Sequence, residues 1–148
     1  MRSAMPTSGS RPDLLVDASV AVALVVADHE HHAVTIEALG RRRLGLAGHA
    51  AFETFSVLTR LPPPARRTPE VVDRLLSVNF PASRFLSAGA AQALLGRLVE
   101  AEIAGGSVYD ALVGATAAEH DIVLATRNRR ALTTYRALGV QVEILPDR

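Results

Sequence analysis

The chain has 148 residues, 49% of them hydrophobic, and a formal net charge of only +1 at neutral pH. That length suits one domain with a substantial core, and the near-balanced charge leaves any nucleic-acid contact to local arginine clusters, at 41–43, 66–67 and 127–130. Cysteine and lysine are both absent, which excludes disulfides, thiolate metal sites, thiol nucleophiles, phosphate-loop lysines and Schiff-base chemistry.

The opening MRSAMPTSGSRP carries two arginines with no apolar stretch behind them, so it is not a secretory signal. It is expected to form a flexible tail over 1–12, with Met5 a second candidate start, followed by one domain over 13–148. Residues 14–26, LLVDASVAVALVV, are too long for one ordinary strand and divide into a strand LLV, a break at Asp-Ala-Ser, and a helix VAVALVVA. Being apolar all round, that helix should be buried, and at eight residues it falls far short of the ~20 needed to cross a membrane. HHAVTIEALG is helical and closes at Gly40. A short strand over 44–47 precedes a helix AAFETFSVLTRL, which LPPP at 61–64 stops. Pro69 starts the helix PEVVDRLLSV.

RFLSA (84–88) is a weak strand. AAQALLGRLVEAEIAG is an amphipathic helix ending at Gly105 and Gly106, and SVYDALVGATAAEH a helix with Ser107 as its N-cap. IVLAT (122–126) is a strand, RRALTTYRAL a helix closed by Gly139, and VQVEIL the last strand. Strands alternating with helices predict an α/β domain with a mainly parallel sheet. No G-x-G-x-x-G follows a strand, so a dinucleotide site has no support.

Ligands of open parallel sheets bind beyond the carboxyl ends of the strands. Asp17 directly follows the first strand, Glu53 lies in the helix after the second, Asp110 in the first turn of its helix, and Asn128 just past IVLAT. Each has a plainer explanation. Asp17 can cap the helix after it, Glu53 can pair with His49 at i, i+4, Asp110 can complete a capping box with Ser107, and Asn128 can cap or turn the chain. Together they are harder to dismiss, because carboxylates meeting at one edge repel until protonated or bridged by a cation. Hard oxygen donors without cysteine select Mg²⁺ or Mn²⁺ over zinc. The histidines of D-H-E-H-H (28–32) are better explained as a solvated helix start than as a zinc site. Arg127, Arg129 and Arg130 are either a solvated face or, beside a metal, grips for phosphate.

V-D-A-S at 16–19, the apolar helix bearing Glu53, Y-D-A-L-x-x-A-T-A from Tyr109, L-A-T-R-N-R-R-A-L from Leu124, and the terminal V-x-V-x-I-L stand in an order that resembles the PIN-domain ribonucleases. More closely, they are similar to the VapC-type toxins of bacterial VapBC pairs, over residues 13 to 146. The resemblance implies a three-layer α/β/α sandwich on a mainly parallel five-stranded sheet. It also implies a cytoplasmic, typically dimeric endoribonuclease that uses Mg²⁺ or Mn²⁺, cuts structured RNA such as transfer or ribosomal RNA, and is blocked by a VapB-like antitoxin.

The family's acids fall on Asp17, Glu53 and Asp110, with Ser19 as the hydroxyl near the first. Asp17 is expected to lie exposed at the strand edge, to cap its helix and, with Asp110, to ligate the ion. The fourth acid lands on Asn128, behind Thr126 and Arg127, a departure that brings an amide without charge. Glu53 and Asn128 would order water or a second ion. Asn128 also makes a runner-up thinkable, a PIN-fold protein with weakened catalysis that binds RNA or a partner. A metal-dependent phosphatase is a more distant alternative, since no D-x-D follows the first strand.

Overall fold

The structure is a computed structural model that describes residues 11–148. The tail expected over 1–12 therefore lies outside the described residues up to position 10. Arg11 already touches the body of the domain, its guanidinium donating to the Asp121 carbonyl at 2.9 Å. In chain order the elements are β1 (Leu14–Val16), α1 (Ala18–Val25), α2 (His32–Leu39), β2 (Leu44–Leu46), α3 (His49–Thr59), α4 (Pro69–Asn79), α5 (Ala88–Glu100) and α6 (Ser107–His120). Then come β3 (Leu124–Thr126), a 3-10 turn (Arg129–Ala131), α7 (Leu132–Ala137) and β4 (Val142–Ile144).

The sheet is parallel throughout, in the order β2-β1-β3-β4. Alternation along β1 divides the core. Leu15 faces a cluster with α5, α6 and α7 that includes Leu94, Val113 and Tyr135. Leu14 and Val16 face α1 and α2, together with Val20, Leu39 and Phe80. Helices thus cover both faces, as expected of a three-layer sandwich. Among the described residues no helix is long and apolar enough to cross a membrane.

The sheet has four strands among the described residues, not five. Residues 82–84 do run beside β2, with Ala82 N–H on the Leu44 carbonyl and Arg84 N–H on that of Leu46, both at 3.1 Å. The ladder fails because Leu46 N–H donates to the Ser83 hydroxyl at 2.9 Å, leaving one isolated bridge between Ala47 and Arg84. This close approach depends on Gly45, where a Cβ would overlap the Ala82 carbonyl.

Two helix ends also differ from expectation. α5 stops at Glu100 rather than running to Gly105: Glu102 takes φ 55°, and Ile103 N–H returns to the Leu98 carbonyl at 2.9 Å. That is a left-handed stop, in which Ile103 and Leu98 both pack on the core. At α6, Gly106 is the cap residue and Ser107 is already helical, with no side-chain cap bond. The expected Ser107–Asp110 capping box is not formed, and the Asp110 carboxylate is left for other work.

Candidate functional site

β1 connects to β2 on one side while pairing with β3 on the other, so the sheet's topological switch point lies between β1 and β3. Asp17 and Thr126 meet there, Asp17 N–H donating to the Ala125 carbonyl at 3.3 Å. Asp17 is not exposed at the edge: it is 4% accessible. Its cap role is realised, since Oδ1 accepts Val20 N–H of α1 at 3.3 Å. Oδ1 also accepts the Ser19 hydroxyl at 2.5 Å, and Oδ2 accepts Thr126 Oγ1–H at 2.5 Å and the Tyr135 hydroxyl at 2.9 Å.

Two of these hydroxyls are themselves polarised by backbone. Arg127 N–H donates to Ser19 Oγ at 2.9 Å, and Asn128 N–H to Thr126 Oγ1 at 3.0 Å. The turn leaving β3 therefore feeds two hydrogen-bond relays into one carboxylate, each bond strengthening the next. Burial nonetheless dominates and pushes the Asp17 pKa above the usual aspartate range, with the four donors acting against it.

Glu53 on α3 and Asp110 on α6 are half-buried and accept no hydrogen bond from any described residue. The Glu53–His49 pair does not form at ion-pair distance; His49 instead stacks on Tyr109 with ring centroids 5.0 Å apart. Burial raises the Glu53 pKa, His49 opposes it, and the charges of Asp110 and Asp17 raise it further. Burial also raises that of Asp110, with Asp17 adding to the shift. The three acids thus feel one another, although among the described residues no three acidic or histidine side chains are drawn together tightly enough to hold an ion. The donor chemistry suits a hard divalent cation: two free carboxylates and a third whose weakest bond, to Val20 N–H, is the easiest to give up.

Asn128 caps the 3-10 turn, its Oδ1 accepting Arg130 N–H at 3.1 Å, so the amide oxygen is already engaged. Arg127 is tied down: its guanidinium donates to the Pro146 carbonyl (2.9 Å), Asp147 (3.0 Å) and Thr35 (3.3 Å). Arg129 and Arg130 are exposed, and their side chains have no partner among the described residues. In the other clusters Arg42 forms a two-pronged pair with Glu143, at 2.8 Å on each oxygen, and Arg66 and Arg67 bond local carbonyls. In D-H-E-H-H, His31 N–H donates to His29 Nδ1, a local bond at the helix start, and the His32 ring reaches back to the Ala23 carbonyl of α1.

The PIN-domain family profile matches residues 14–137. Ribonuclease VapC27 of Mycobacterium tuberculosis is 46% identical over 134 residues, a match covering 90% of this chain and 98% of the relative. This chain belongs to the PIN-domain family, in its VapC branch. Ribonuclease VapC40 of the same species is 44% identical over 131 residues, covering 87% of this chain and 96% of the relative. The PIN fold is matched by FitAB bound to an IR36 DNA fragment at TM-score 0.61 and 17% identity, covering 88% of this chain and 94% of that one. FitAcB from Neisseria gonorrhoeae matches at 0.60 and 16%, covering 87% and 95%.

Tyr135 escapes detection from sequence. Its signal is faint: a tyrosine on the apolar face of α7 needs a partner for its hydroxyl once buried. Burial and the Asp17 charge both push its pKa up, so the phenol stays protonated as a donor. Gly114 lets it reach that far, since a Cβ there would sit 3.0 Å from Tyr135 Cδ1.

The raised acids set a pH dependence in this PIN domain. A carboxyl whose folded pKa exceeds its unfolded one stabilises the fold below the unfolded value, and that stability is lost as pH rises through the folded pKa. The metal-free protein is therefore expected to lose melting temperature as pH rises above about 4. Part of this is offset by Glu143, which Arg42 holds below its usual range. The Glu53→Gln/Asp110→Asn double variant should flatten the decline, checked by paired melts at about pH 4 and 7; equal slopes would show that the two acids do not carry the effect.

Proposed function

We propose that this PIN domain is a divalent-metal-dependent endoribonuclease, the toxin half of a VapBC-type pair acting in the cytoplasm on structured RNA. The observation that carries this is a pair of half-buried carboxylates without a hydrogen-bond donor, Glu53 and Asp110, both near enough to the buried Asp17 for its charge to raise their pKa values. It is supported by relatives named as ribonucleases. Asp17 and Asp110 would hold Mg²⁺ or Mn²⁺, which supplies a water of lowered pKa and a polarised phosphate when bound. Ser19, Thr126 and Tyr135 hold the Asp17 carboxylate in one orientation. Glu53, the other free carboxylate, would take a proton from the attacking water as that water's oxygen bonds to phosphorus and a ribose oxygen leaves. A VapB-like antitoxin would block this edge, and the working unit would be a homodimer. Incubating the protein with total RNA across a Mg²⁺ titration tests the activity; RNA left intact at every metal concentration overturns it.

Arg129 and Arg130 are the phosphate contacts in this proposal, because Arg127 is already committed to the C-terminal segment. Replacing both with Gln should reduce the salt dependence of RNA binding by roughly 0.7–0.9 in log-log slope for each lost contact. An unchanged slope would make them an ordinary solvated face.

The engaged amide of Asn128 keeps the weakened-nuclease alternative in play. Aspartate caps as well as asparagine, so Asn128→Asp should keep the turn and change the unfolding free energy by no more than about 0.5 kcal/mol while tightening Mg²⁺ binding. Metal titration read by RNA cleavage checks this. An inactive wild type rescued by the substitution would identify a lapsed nuclease, and unchanged metal affinity would leave Asn128 a cap alone.

A further inference from the structure

Next to the acids lies a feature that the catalytic proposal does not use. Tyr109 and His49 are stacked at 19° between ring planes, Phe52 stands 6.5 Å from His49, and Phe85 stands 6.2 Å from Phe52. The chain has no tryptophan, four phenylalanines and two tyrosines. Two of those phenylalanines and one tyrosine lie on this ledge, with Phe52 64%, Tyr109 53% and Phe85 51% exposed. Exposed rings in a row are unfavourable in water unless something covers them.

The position of the row indicates what covers it. Tyr109 immediately precedes Asp110 on α6, and His49 lies one turn before Glu53 on α3, so the stack joins the two helices that bear the free acids. His49, Phe52, Tyr109, Glu53 and Arg60 line one open cleft of ≈ 550 Å³. Arg60 stands at its far end, on the C-cap of α3, with its guanidinium 3.3 Å from Ser56 Oγ and otherwise facing solvent. Flat ring faces, a cation for phosphate and direct continuity with Glu53 together suit an unpaired nucleic-acid strand. Every base offers a π-face to stack, and such platforms bind single strands with little sequence preference.

We propose that the Tyr109–His49–Phe52 ledge is a stacking platform for unpaired bases of the RNA strand that enters the acid cluster, with Arg60 on its backbone. This rests on the ribonuclease proposal for the adjoining acids. The ledge selects RNA whose scissile phosphate lies in a loop or bulge, where bases can leave the helix, over continuous duplex.

The test reads binding separately from cleavage. A short single-stranded RNA containing 2-aminopurine is titrated with wild type, Phe52→Ala, Tyr109→Ala, Phe52→Tyr and Tyr109→Phe, in EDTA so that no metal-dependent cutting occurs. Stacking quenches the fluorophore. Each alanine variant should weaken Kd about five- to a hundredfold with loss of quenching, while the two ring-preserving variants bind as wild type does. Both positions are exposed, so melting temperatures should not change. Equal Kd and quenching across all variants would overturn the ledge, as would wild type binding a duplex as tightly as the single strand. If loss of binding instead follows a change from dimer to monomer on size exclusion, the ledge is an interface between copies and the proposal is wrong. Cleavage of total RNA with Mg²⁺, measured in parallel, keeps the two proposals apart. A wild type that cuts while the alanine variants cut and bind equally well leaves the nuclease standing and removes the ledge.

Discussion

Asp17→Asn is expected to abolish RNA cleavage and to destabilise the fold by about 1–3 kcal/mol. At an exposed strand edge the same change would be neutral or slightly stabilising, because it removes a repelling charge. Asp17 is instead buried under four donors, three hydroxyls and one amide N–H. An amide has one acceptor oxygen and brings two more N–H donors into a ring of donors. Rotating the Thr126 and Tyr135 hydroxyls to accept would leave their own hydrogens without acceptors. Relief of the buried charge works the other way, but charge-assisted bonds are roughly twice as strong as neutral ones, and several are lost together. Urea unfolding should show a lower midpoint at unchanged slope, alongside intact RNA in the cleavage assay. An unchanged midpoint would mean that the native carboxyl is already protonated, so that the amide replaces one donor with another.

The second large effect is expected at Asp110, with the opposite stability sign. Asp110→Asn should reduce cleavage by roughly 10²–10⁴-fold while leaving the metal-free melting temperature unchanged or raised. No described donor bonds this carboxylate, the capping box with Ser107 is absent, and both burial and Asp17 disfavour its charge. Losing the charge therefore costs the fold nothing. The same loss should remove stabilisation by Mg²⁺, which for a ligand bound only by the native state grows as RT ln(1 + [L]/Kd). Melts with and without Mg²⁺ check this. If the variant gains as much from Mg²⁺ as wild type does, Asp110 is not a ligand and the ion must sit elsewhere.

These opposite signs bear on how much of the site was legible beforehand. Both acids could be named from their places after a strand and in the first turn of a helix. Whether each was held or free could not, because that depends on partners far along the chain. Thr126 and Tyr135, which bond the same oxygen of Asp17, lie 109 and 118 residues away from it. The capping box at Ser107 failed for a local reason, one residue of helix start. Its consequence, a free Asp110, is a tertiary one.

The arginines divide in the same way. Arg127, Arg129 and Arg130 form one cluster in sequence and are equivalent in type. In the fold, Arg127 clasps Pro146 and Asp147 while its neighbours face solvent. The fifth strand is a further case: RFLSA has the composition of a weak strand, yet the Ser83 hydroxyl intercepts the bond that would have extended the ladder.

What the sequence determined by itself is what short-range pattern encodes. The apolar run of β1, the all-apolar α1, the glycine stop at Gly40 and Pro69 at a helix start each specify local geometry through sterics and burial. Their alternation specifies a parallel α/β sandwich with acids at one edge. Only the tertiary structure decided that Asp17 is buried and four times hydrogen-bonded, that Asp110 and Glu53 are free, that Arg127 is spoken for, and that three exposed rings line up beside the acids. Hydrogen bonding and charge act over a few ångströms of space, and the chain brings those ångströms together only when residues over a hundred positions apart meet at the edge between β1 and β3.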